Sequence, residues 1–317
     1  MMRCLKCGKL IQDETKSEMG WHKSCIRSFF GCEKYPVIDL RRENLERLVS
    51  KRINKRSTVA GVQKKISLHF SDTDVSRLTL MDYPAGYILK PQTDEYESLP
   101  EYEHLSMQMA EAAGIKTVPH ALVVIDETYN YITKRIDRDI NNDEISMYAM
   151  EDFCQLSNKL TEDKYKGSYE QCGRIIKKYS YMEGMDLSEL FIRIVFCFLI
   201  GNSDMHLKNF SLIESAPGAR TFRLSEAYDM LPVNLILPSD NEETALMLNG
   251  KKRNLRKKDF IAFANSIGIT ENASLKMIKS LCSKQEAYNE LIDNSLLNEG
   301  QRQTFKELVD KRISILE

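Results

Sequence analysis

An aspartate and an asparagine five residues apart mark the stretch of this chain whose residue types could do chemistry. Asp204 and Asn209 lie in the polar segment 201–209, directly after the apolar run 191–200. In phosphotransfer enzymes this spacing lets the aspartate orient or deprotonate an attacking hydroxyl, while the asparagine holds a magnesium ion. A second metal-holding carboxylate then belongs one or two strands later, where Asp229 lies. The pattern predicts a phosphoryl-transfer site.

Three further side chains flank these candidates. His206 and Lys208 share the loop with Asp204, and each could either stabilise charge or brace the backbone. Tyr228 precedes Asp229 and could either stack near a nucleotide base or pack in the core. The residue types alone leave both pairs of alternatives open.

The N-terminal half offers partners for such a site. A turn at residues 60–61 opens a strand with alternating apolar residues, and its backbone N–H groups could cover phosphates. It has a single glycine, so an ordinary hairpin is the favoured alternative. Lys90 ends an apolar strand, and Glu103 lies early in a helix predicted over 99–114. The two could form an ion pair, although solvated side chains are the usual outcome at such positions.

Four residues near the N-terminus have the spacing of a metal site. Cys4 and Cys7 form a CxxC pair, and His22 and Cys25 form an HxxC pair after fourteen intervening residues. Such pairs close a tetrahedral zinc site, whereas a redox pair or incidental cysteines are the alternatives. A closed four-ligand site is structural and lets a short segment fold without much core. Cys32 lies outside the pattern.

The order of predicted elements gives an α+β protein. A zinc knuckle and a charged connector precede several strands and one helix, and helices predominate after Asp139. One helix is predicted over 148–160, and another starts with a capping-box pattern at Asp186. The predicted domains are a zinc knuckle (1–33), a connector (34–55), a β-rich nucleotide-binding lobe (56–139) and a helical catalytic lobe (140–317).

The composition excludes several classes. Apolar residues make up 42% of the 317 residues, and 45 basic residues balance 46 acidic ones, so bulk charge selects neither nucleic acid nor membrane. The run 191–200 is too short to span a bilayer and contains Arg193. The polar start carries no secretory signal, so we expect a soluble, cytoplasmic protein. The eight cysteines, several within apolar runs, indicate reduced thiols.

The sequence resembles the HipA toxin kinases over roughly residues 50–310. Residues 201–211 resemble the family's catalytic loop, residues 228–229 its metal-binding strand end, and residues 57–65 the loop that covers the nucleotide. Four more segments match in the family's order, namely 102–107 with 113–114, 134–138, 151–155 and 249–252.

The resemblance implies a two-lobed, protein-kinase-like fold and an ATP- and Mg-dependent protein serine/threonine kinase. Family members act as toxins that phosphorylate an aminoacyl-tRNA synthetase, and a small DNA-binding antitoxin of the HipB type restrains them. DNA would thus be bound only through the antitoxin. The implied catalytic residues are Asp204, Lys208 and His206, and the implied magnesium ligands are Asn209 and Asp229.

The resemblance also implies nucleotide contacts and a regulatory site. Lys90 would contact ATP and Glu103 would pair with it. The other implied nucleotide-binding residues are Gly61, Val62, Gln63, Lys134, Ile136, His206, Tyr228 and Asp229. Autophosphorylation on a hydroxyl of the nucleotide loop would fall on Thr58 or Ser57.

The chain departs from the family pattern at its N-terminus. Where longer members have an extra subdomain before the nucleotide loop, we expect only the zinc knuckle and the connector here. In this the chain resembles shorter, HipT-like members whose missing part is a separate small protein, HipS. The zinc knuckle is not part of the general pattern, and stability, antitoxin docking and target recognition are its open roles. Two other functions stay open, namely a small-molecule or lipid kinase and a pseudokinase scaffold that binds through the knuckle.

Overall fold

The computed structural model describes residues 2–38, 65–72, 76–79, 85–141 and 144–317. The predicted nucleotide residues Gly61, Val62 and Gln63 and the predicted phosphorylation sites Ser57 and Thr58 lie outside the described residues. The chain divides into two compact units, Met1–His104 with Val118–Arg135 and Leu105–Thr117 with Ile136–Glu317. The domain boundaries expected from the sequence stay a prediction.

The first unit is built on a sheet. Its elements are β1 (Ser17–Glu18), β2 (Trp21–His22), α1 (Lys23–Phe30), β3 (Val37–Ile38), β4 (Ile66–Asp72), β5 (Ser76–Thr79), β6 (Tyr87–Lys90), the N-terminal part of α2 (Leu99–Ala113), β7 (His120–Ile125) and β8 (Thr128–Lys134). Six of the described strands form one sheet in the order β3-β5-β4-β6-β8-β7, with antiparallel pairing except between β3 and β5.

Local sequence explains this sheet well. Ile66 and Leu68 are buried on one face of β4, as the predicted alternation requires. The hairpin of β7 and β8 turns through Asp126 and Glu127, whose φ angles of 48° and 61° match the left-handed turns that suit a two-residue hairpin. The predicted helix 99–114 is also confirmed, since α2 ends where Gly114 takes a φ of 89°.

Two buried histidines join α2 to the sheet. The Nδ1 atoms of His104 and His120 lie 2.9 Å apart, and the His120 ring stacks on Tyr131. Burial lowers the pKa of His104 well below its usual range, and the charges of His120 and Lys6 act in the same direction. The contact therefore depends on His104 staying neutral.

We expect the free energy of unfolding to fall as the pH drops below about 6.5, the unfolded pKa of histidine. Below that pH the unfolded chain binds a proton that folded His104 does not, so stability is lost until the pH reaches the folded pKa. The contribution is at most about 1.4 kcal/mol per pH unit. Urea unfolding between pH 7.5 and 5.5 should show a shallower slope for His104→Asn than for the wild type. An unchanged slope in His104→Asn would contradict the assignment.

The second unit is mainly helical. Its elements are β9 (Arg138–Asn141), β10 (Glu144–Met147), β11 (Met150–Asp152), α3 (Phe153–Leu156), α4 (Tyr169–Tyr179), α5 (Glu183–Ile200), β12 (Ser211–Glu214), β13 (Phe222–Leu224), α6 (Val233–Ile236), α7 (Lys257–Ser266), α8 (Glu271–Cys282), α9 (Gln285–Asp293) and α10 (Glu299–Leu316). Strands β11, β12 and β13 form a small antiparallel sheet beside these helices. Among the described helices, none is both long and apolar enough to cross a bilayer.

Two local predictions in this unit are wrong. Residues 150–152 form β11 and only one helical turn follows, where the predicted helix covered 148–160. Helix α5 begins at Glu183 rather than at a capping box on Asp186. Asp186 is buried instead and accepts hydrogen bonds from Ser180 Oγ at 2.5 Å and from the Leu224 backbone at 2.6 Å. These tertiary bonds override the local capping pattern.

Gly201, which ends α5, is required by both its backbone and its surroundings. Its φ is 73°, and a Cβ atom there would lie 2.6 Å from Leu308 Cδ2. We expect Gly201→Ala to lower the free energy of unfolding by about 1–3 kcal/mol. Gly184→Ala is the matched control, because this helical glycine has open space around it and alanine is the better helix former by about 1 kcal/mol. Urea denaturation of both variants tests this, and equal stability of the two would contradict it.

Candidate active site

The loop after α5 brings Asp204 and Asn209 together. The Asn209 Nδ2 amide donates to the Asp204 carbonyl at 3.1 Å, and the Asp204 backbone donates to Asn202 Oδ1, also at 3.1 Å. Residues Leu207–Asn209 form a single 3₁₀ turn, and Asn209 is buried. Since its nitrogen holds the loop, Oδ1 is the Asn209 atom that could bind a cation.

A tyrosine that the sequence did not indicate holds the Asp204 carboxylate. Tyr165 donates its hydroxyl hydrogen to Asp204 Oδ1 at 2.6 Å. Burial raises the pKa of Tyr165, and the neighbouring negative charge of Asp204 raises it further, so the hydroxyl stays protonated and remains a donor. The His206 ring packs edge-on against Tyr165 with centroids 5.0 Å apart. His206 is therefore in place to orient the tyrosine.

Lys208 braces the loop. Its Nζ atom lies 2.6 Å from Asp152 Oδ2, and Asp152 also caps α3 through a hydrogen bond from the Gln155 backbone. Of the two alternatives for Lys208, this ion pair favours a bracing role. Its predicted catalytic role stays a prediction.

Tyr228 connects the loop to the segment that carries Asp229. Its hydroxyl donates to the Lys208 carbonyl at 3.1 Å, which leaves Ser211 Oγ as the donor of the 2.6 Å bond between Ser211 and Tyr228. This arrangement favours packing over base stacking for Tyr228. Asp229 has a φ of 56°, a left-handed conformation that aspartate tolerates better than most residues and that is often found at functional sites.

The two residues before Tyr228 and Asp229 are held by contacts with Lys116 and Arg223. Ala227 donates its N–H to the Lys116 carbonyl at 2.8 Å. Glu226 Oε1 lies 2.9 Å from the Lys116 ammonium and 3.0 Å from Arg223. Burial acts to raise the pKa of Glu226, but the hydrogen bonds from Lys116 and Arg223 outweigh it and lower the pKa. A charged Glu226 thus anchors the Asp229 segment.

A polar network supports the start of the loop. Ser203 Oγ donates to Asp240 Oδ2 at 2.6 Å, and Asn234 Nδ2 donates to the Glu242 carbonyl at 2.9 Å and to Ser203 Oγ at 3.3 Å. Arg312 in α10 reaches the Asn234 side chain at 3.4 Å. Sequence spacing could not have indicated this network, because its members come from three distant segments.

In the first unit, the predicted partner residues meet. Lys90 and Glu103 form a buried ion pair, and the Lys90 ammonium also lies 5.2 Å from the centre of the Tyr131 ring. Lys134 is the last residue of β8 and is exposed. Ile136 is half-buried and belongs to the second unit. The structure thus brings Lys90 and Glu103 together, while the roles of all four residues stay predictions.

The four predicted zinc ligands also meet. One ligand atom from each of Cys4, Cys7, His22 and Cys25 lies within 4.8 Å of the others. The thiol of Cys7 lies 3.5 Å from His22 Nδ1, and that of Cys25 lies 3.9 Å from it. A hydrogen bond from Cys7 lowers the pKa of the Cys4 thiol to about 4, and the same bond raises the pKa of Cys7. Burial raises the pKa of Cys25, so in the absence of a metal only Cys4 favours the thiolate form.

The orientation of His22 suits a metal ligand. Its Nε2 atom lies 3.3 Å from the Leu10 carbonyl, which can only accept a hydrogen bond. Nε2 therefore carries the proton, and the unprotonated Nδ1 faces the thiols. A carbonyl that fixes the histidine tautomer in this way is a usual outer partner of zinc-binding histidines. Three thiols and one imidazole are one of the usual donor sets of structural zinc sites.

A protein-family model, the HipA-like C-terminal domain, matches residues 57–288, which is more than half of the chain. The chain belongs to the HipA-like family. The match confirms the resemblance drawn from the loop 201–211.

Curated relatives of this HipA-like protein carry kinase names. A Haemophilus influenzae protein named "Putative kinase" is 24% identical over 284 residues, which cover 82% of this chain and 81% of that protein. The Sinorhizobium fredii "Putative kinase Y4dM" is 32% identical over 222 residues, which cover 65% of this chain and 52% of that protein. The chain thus spans about half the length of the second relative.

Two solved structures share the fold of the HipA-like chain. HipA of Shewanella oneidensis MR-1, solved in complex with HipB and operator DNA, matches with a TM-score of 0.72 and 18% identity over 87% of this chain and 70% of that one. The Helicobacter pylori proinflammatory kinase CtkA matches with a TM-score of 0.55 and 15% identity over 78% of this chain and 90% of that one. These likenesses confirm the predicted α+β, protein-kinase-like fold.

Proposed function

We propose that this HipA-like protein is an ATP- and Mg²⁺-dependent protein serine/threonine kinase. The observation that carries the proposal is the loop in which Asn209 holds the Asp204 backbone and Tyr165 holds the Asp204 carboxylate. The kinase names of the relatives support the same reaction. Phosphoryl transfer requires positioned charge more than covalent catalysis, and the loop supplies positioned charge.

Each residue has a distinct task in this proposal. Asp204 accepts a hydrogen bond from the acceptor hydroxyl and orients it or removes its proton. Asn209 and Asp229 supply the oxygen ligands that Mg²⁺ prefers, and the bond from Tyr228 to the Lys208 carbonyl ties their segments together. A magnesium ion bound there neutralises charge on the ATP phosphates.

The first unit contributes a cation for the nucleotide. Lys90 holds phosphate oxygens, and its ion pair with Glu103 keeps the ammonium in place. Gly61, Val62 and Gln63 cover the phosphates, with Thr58 or Ser57 as the site of autophosphorylation. Lys134 and Ile136 complete the proposed nucleotide contacts.

The proposed biological role is that of a cytoplasmic toxin in a toxin–antitoxin pair. The fold likeness to HipA, which was solved with HipB and operator DNA, supports a HipB-like antitoxin as partner and DNA contact only through it. The proposed target is a protein hydroxyl, such as that of an aminoacyl-tRNA synthetase, and a small HipS-like protein is a further proposed partner.

We also propose that Cys4, Cys7, His22 and Cys25 bind a structural zinc ion. Their clustering and the orientation of His22 support this. Metal analysis of gently purified protein should give about one equivalent of zinc. A content below about half an equivalent would contradict the proposal.

The proposed function is tested by incubating the protein with γ-labelled ATP and a lysate of its source cells. The label is then sorted into protein, lipid and acid-soluble fractions, with Asp204→Ala as the comparison. We expect label on serine or threonine of protein with the wild type only. Label in the lipid or acid-soluble fraction would support the small-molecule or lipid kinase instead. ATP binding without transfer by either protein would support the pseudokinase scaffold.

A further inference from the structure

The segments that carry the metal ligands are bonded directly to the edge of the sheet. Leu5 lies between Cys4 and Cys7, and its carbonyl accepts a 2.9 Å hydrogen bond from the Leu122 backbone. Trp21 directly precedes His22, and its indole nitrogen donates to the Leu122 carbonyl at 3.2 Å. Leu122 lies on β7, the last strand in the described order. Both polar backbone groups of Leu122 are therefore satisfied by residues next to metal ligands.

A second connection leads from Cys25 to the strand that ends in Lys90. Cys25 lies on α1, whose residues Phe29 and Phe30 each place a ring 5.7 Å from the Tyr87 ring. The Tyr87 hydroxyl donates to the Phe29 carbonyl at 3.1 Å. Tyr87 and Lys90 are the first and last residues of β6, so α1 packs on the strand that positions the Lys90 ammonium.

The two ligand segments are joined beside the cluster by a 3.0 Å hydrogen bond from the Leu5 N–H to the Gly20 carbonyl and by the contact of His22 with Leu10. The contacts among the four ligands themselves, however, are weak. Cys4, Cys7 and Cys25 are free thiols, so no disulfide links them. Their contacts with His22 are 3.4–3.9 Å long and involve sulfur, which is a weak hydrogen-bonding partner. A bound metal would replace these sulfur contacts with coordinate bonds and would tie the two segments together more firmly.

We propose that the metal centre of Cys4, Cys7, His22 and Cys25 controls the nucleotide site, because zinc fixes α1 and the Leu122 contacts and thereby holds β6 with Lys90 in its binding position. Loss of zinc then lowers the affinity for Mg-ATP. The inference rests on the proposed role of Lys90 in nucleotide binding. In this proposal the zinc knuckle supports nucleotide binding within its own unit, rather than the binding of an antitoxin or a target protein.

The test measures nucleotide affinity of the full chain with and without zinc. Calorimetry with a non-hydrolysable ATP analogue and excess Mg²⁺ is run before and after treatment with a chelator selective for zinc. Trp21 is the single tryptophan of the chain and is fully buried beside His22. Its fluorescence therefore reports whether the metal centre is intact. Amide hydrogen exchange at residues 87–90, measured without nucleotide, reports the order of β6.

We expect chelation to shift Trp21 fluorescence, speed exchange at residues 87–90 and weaken nucleotide binding about 10- to 100-fold, as for loss of one hydrogen-bonded charge. Added zinc should restore all three. Cys25→Ser should mimic chelation, whereas Cys32→Ser should not, because the Cys32 thiol donates to the Lys34 carbonyl and lies outside the metal cluster.

Three results would overturn the proposal. The first is a protein that binds no zinc, and the second is unchanged nucleotide affinity after Trp21 fluorescence has shifted. The third is unchanged exchange at residues 87–90, a readout that needs no nucleotide. If the zinc-loaded protein binds no ATP analogue at all, the proposed kinase function fails instead, and exchange at residues 87–90 alone decides whether zinc holds β6. If Cys25→Ser does not fold, reversible chelation of the wild type decides the matter.

Discussion

Replacing Asp204 by asparagine should lower kcat for phosphoryl transfer by about 10²- to 10⁴-fold, the usual range for loss of a general base. The amide has the shape of the carboxylate and can still accept the 2.6 Å hydrogen bond from Tyr165, so the loop should keep its conformation. It carries no negative charge and cannot take a proton from the acceptor hydroxyl. The affinity for Mg-ATP should stay close to that of the wild type, because Asp204 is not a proposed metal ligand.

Steady-state kinetics and calorimetry on the same preparations check this expectation. Asp163→Asn is the matched control, since Asp163 is a carboxylate of the same unit whose described partner is the exposed Lys166. The control should keep wild-type kcat. A kcat within a few-fold of the wild type in Asp204→Asn would remove Asp204 from the proposed mechanism.

Replacing Asp229 by asparagine should weaken Mg-ATP binding roughly 100-fold, or about 2.7 kcal/mol, because Mg²⁺ is usually held by only one or two protein carboxylates. Asparagine is the appropriate substitution because the φ of 56° at this position suits asparagine as well as aspartate. An alanine there would add backbone strain and confuse the loss of a ligand with the loss of local structure.

The metal dependence of binding separates ligand loss from distortion. Calorimetry with ATP in buffer without added Mg²⁺, with no chelator so that any zinc is retained, should give the same affinity for wild type and Asp229→Asn. In the presence of Mg²⁺ the wild type alone should bind more tightly. If the two proteins gain equally from Mg²⁺, Asp229 is not a metal ligand.

The parts of this site that the sequence predicted depend on short spacing. Asp204 and Asn209 lie five residues apart, and a single tight loop is enough to bring an amide of one to the backbone of the other. The zinc ligands form two such close pairs. Lys90 and Glu103 required a longer inference, from a strand end to the start of the next helix, and the structure pairs them.

The parts that the sequence did not predict depend on contacts between distant segments. Tyr165 reaches Asp204 across 39 positions, and nothing in its local sequence distinguishes it from an ordinary loop tyrosine. Asp186 fits a capping pattern locally, yet its bonds to Ser180 and Leu224 place it inside the helix. Likewise, the hydrogen bonds that join Leu122 to Leu5 and to Trp21 connect residues more than a hundred positions apart. Spacing patterns carry no information about such contacts.

The most direct test of the proposed phosphoryl-transfer site is a single-turnover measurement with γ-labelled ATP. The enzyme is in excess over ATP, lysate protein is the acceptor, and wild type, Asp204→Asn and Asp163→Asn are compared at full nucleotide occupancy. We predict that label moves to protein serine or threonine with the wild type and Asp163→Asn and stays on bound ATP with Asp204→Asn. Bound ATP that stays intact in the wild type, or that is consumed equally fast by Asp204→Asn, would contradict the account.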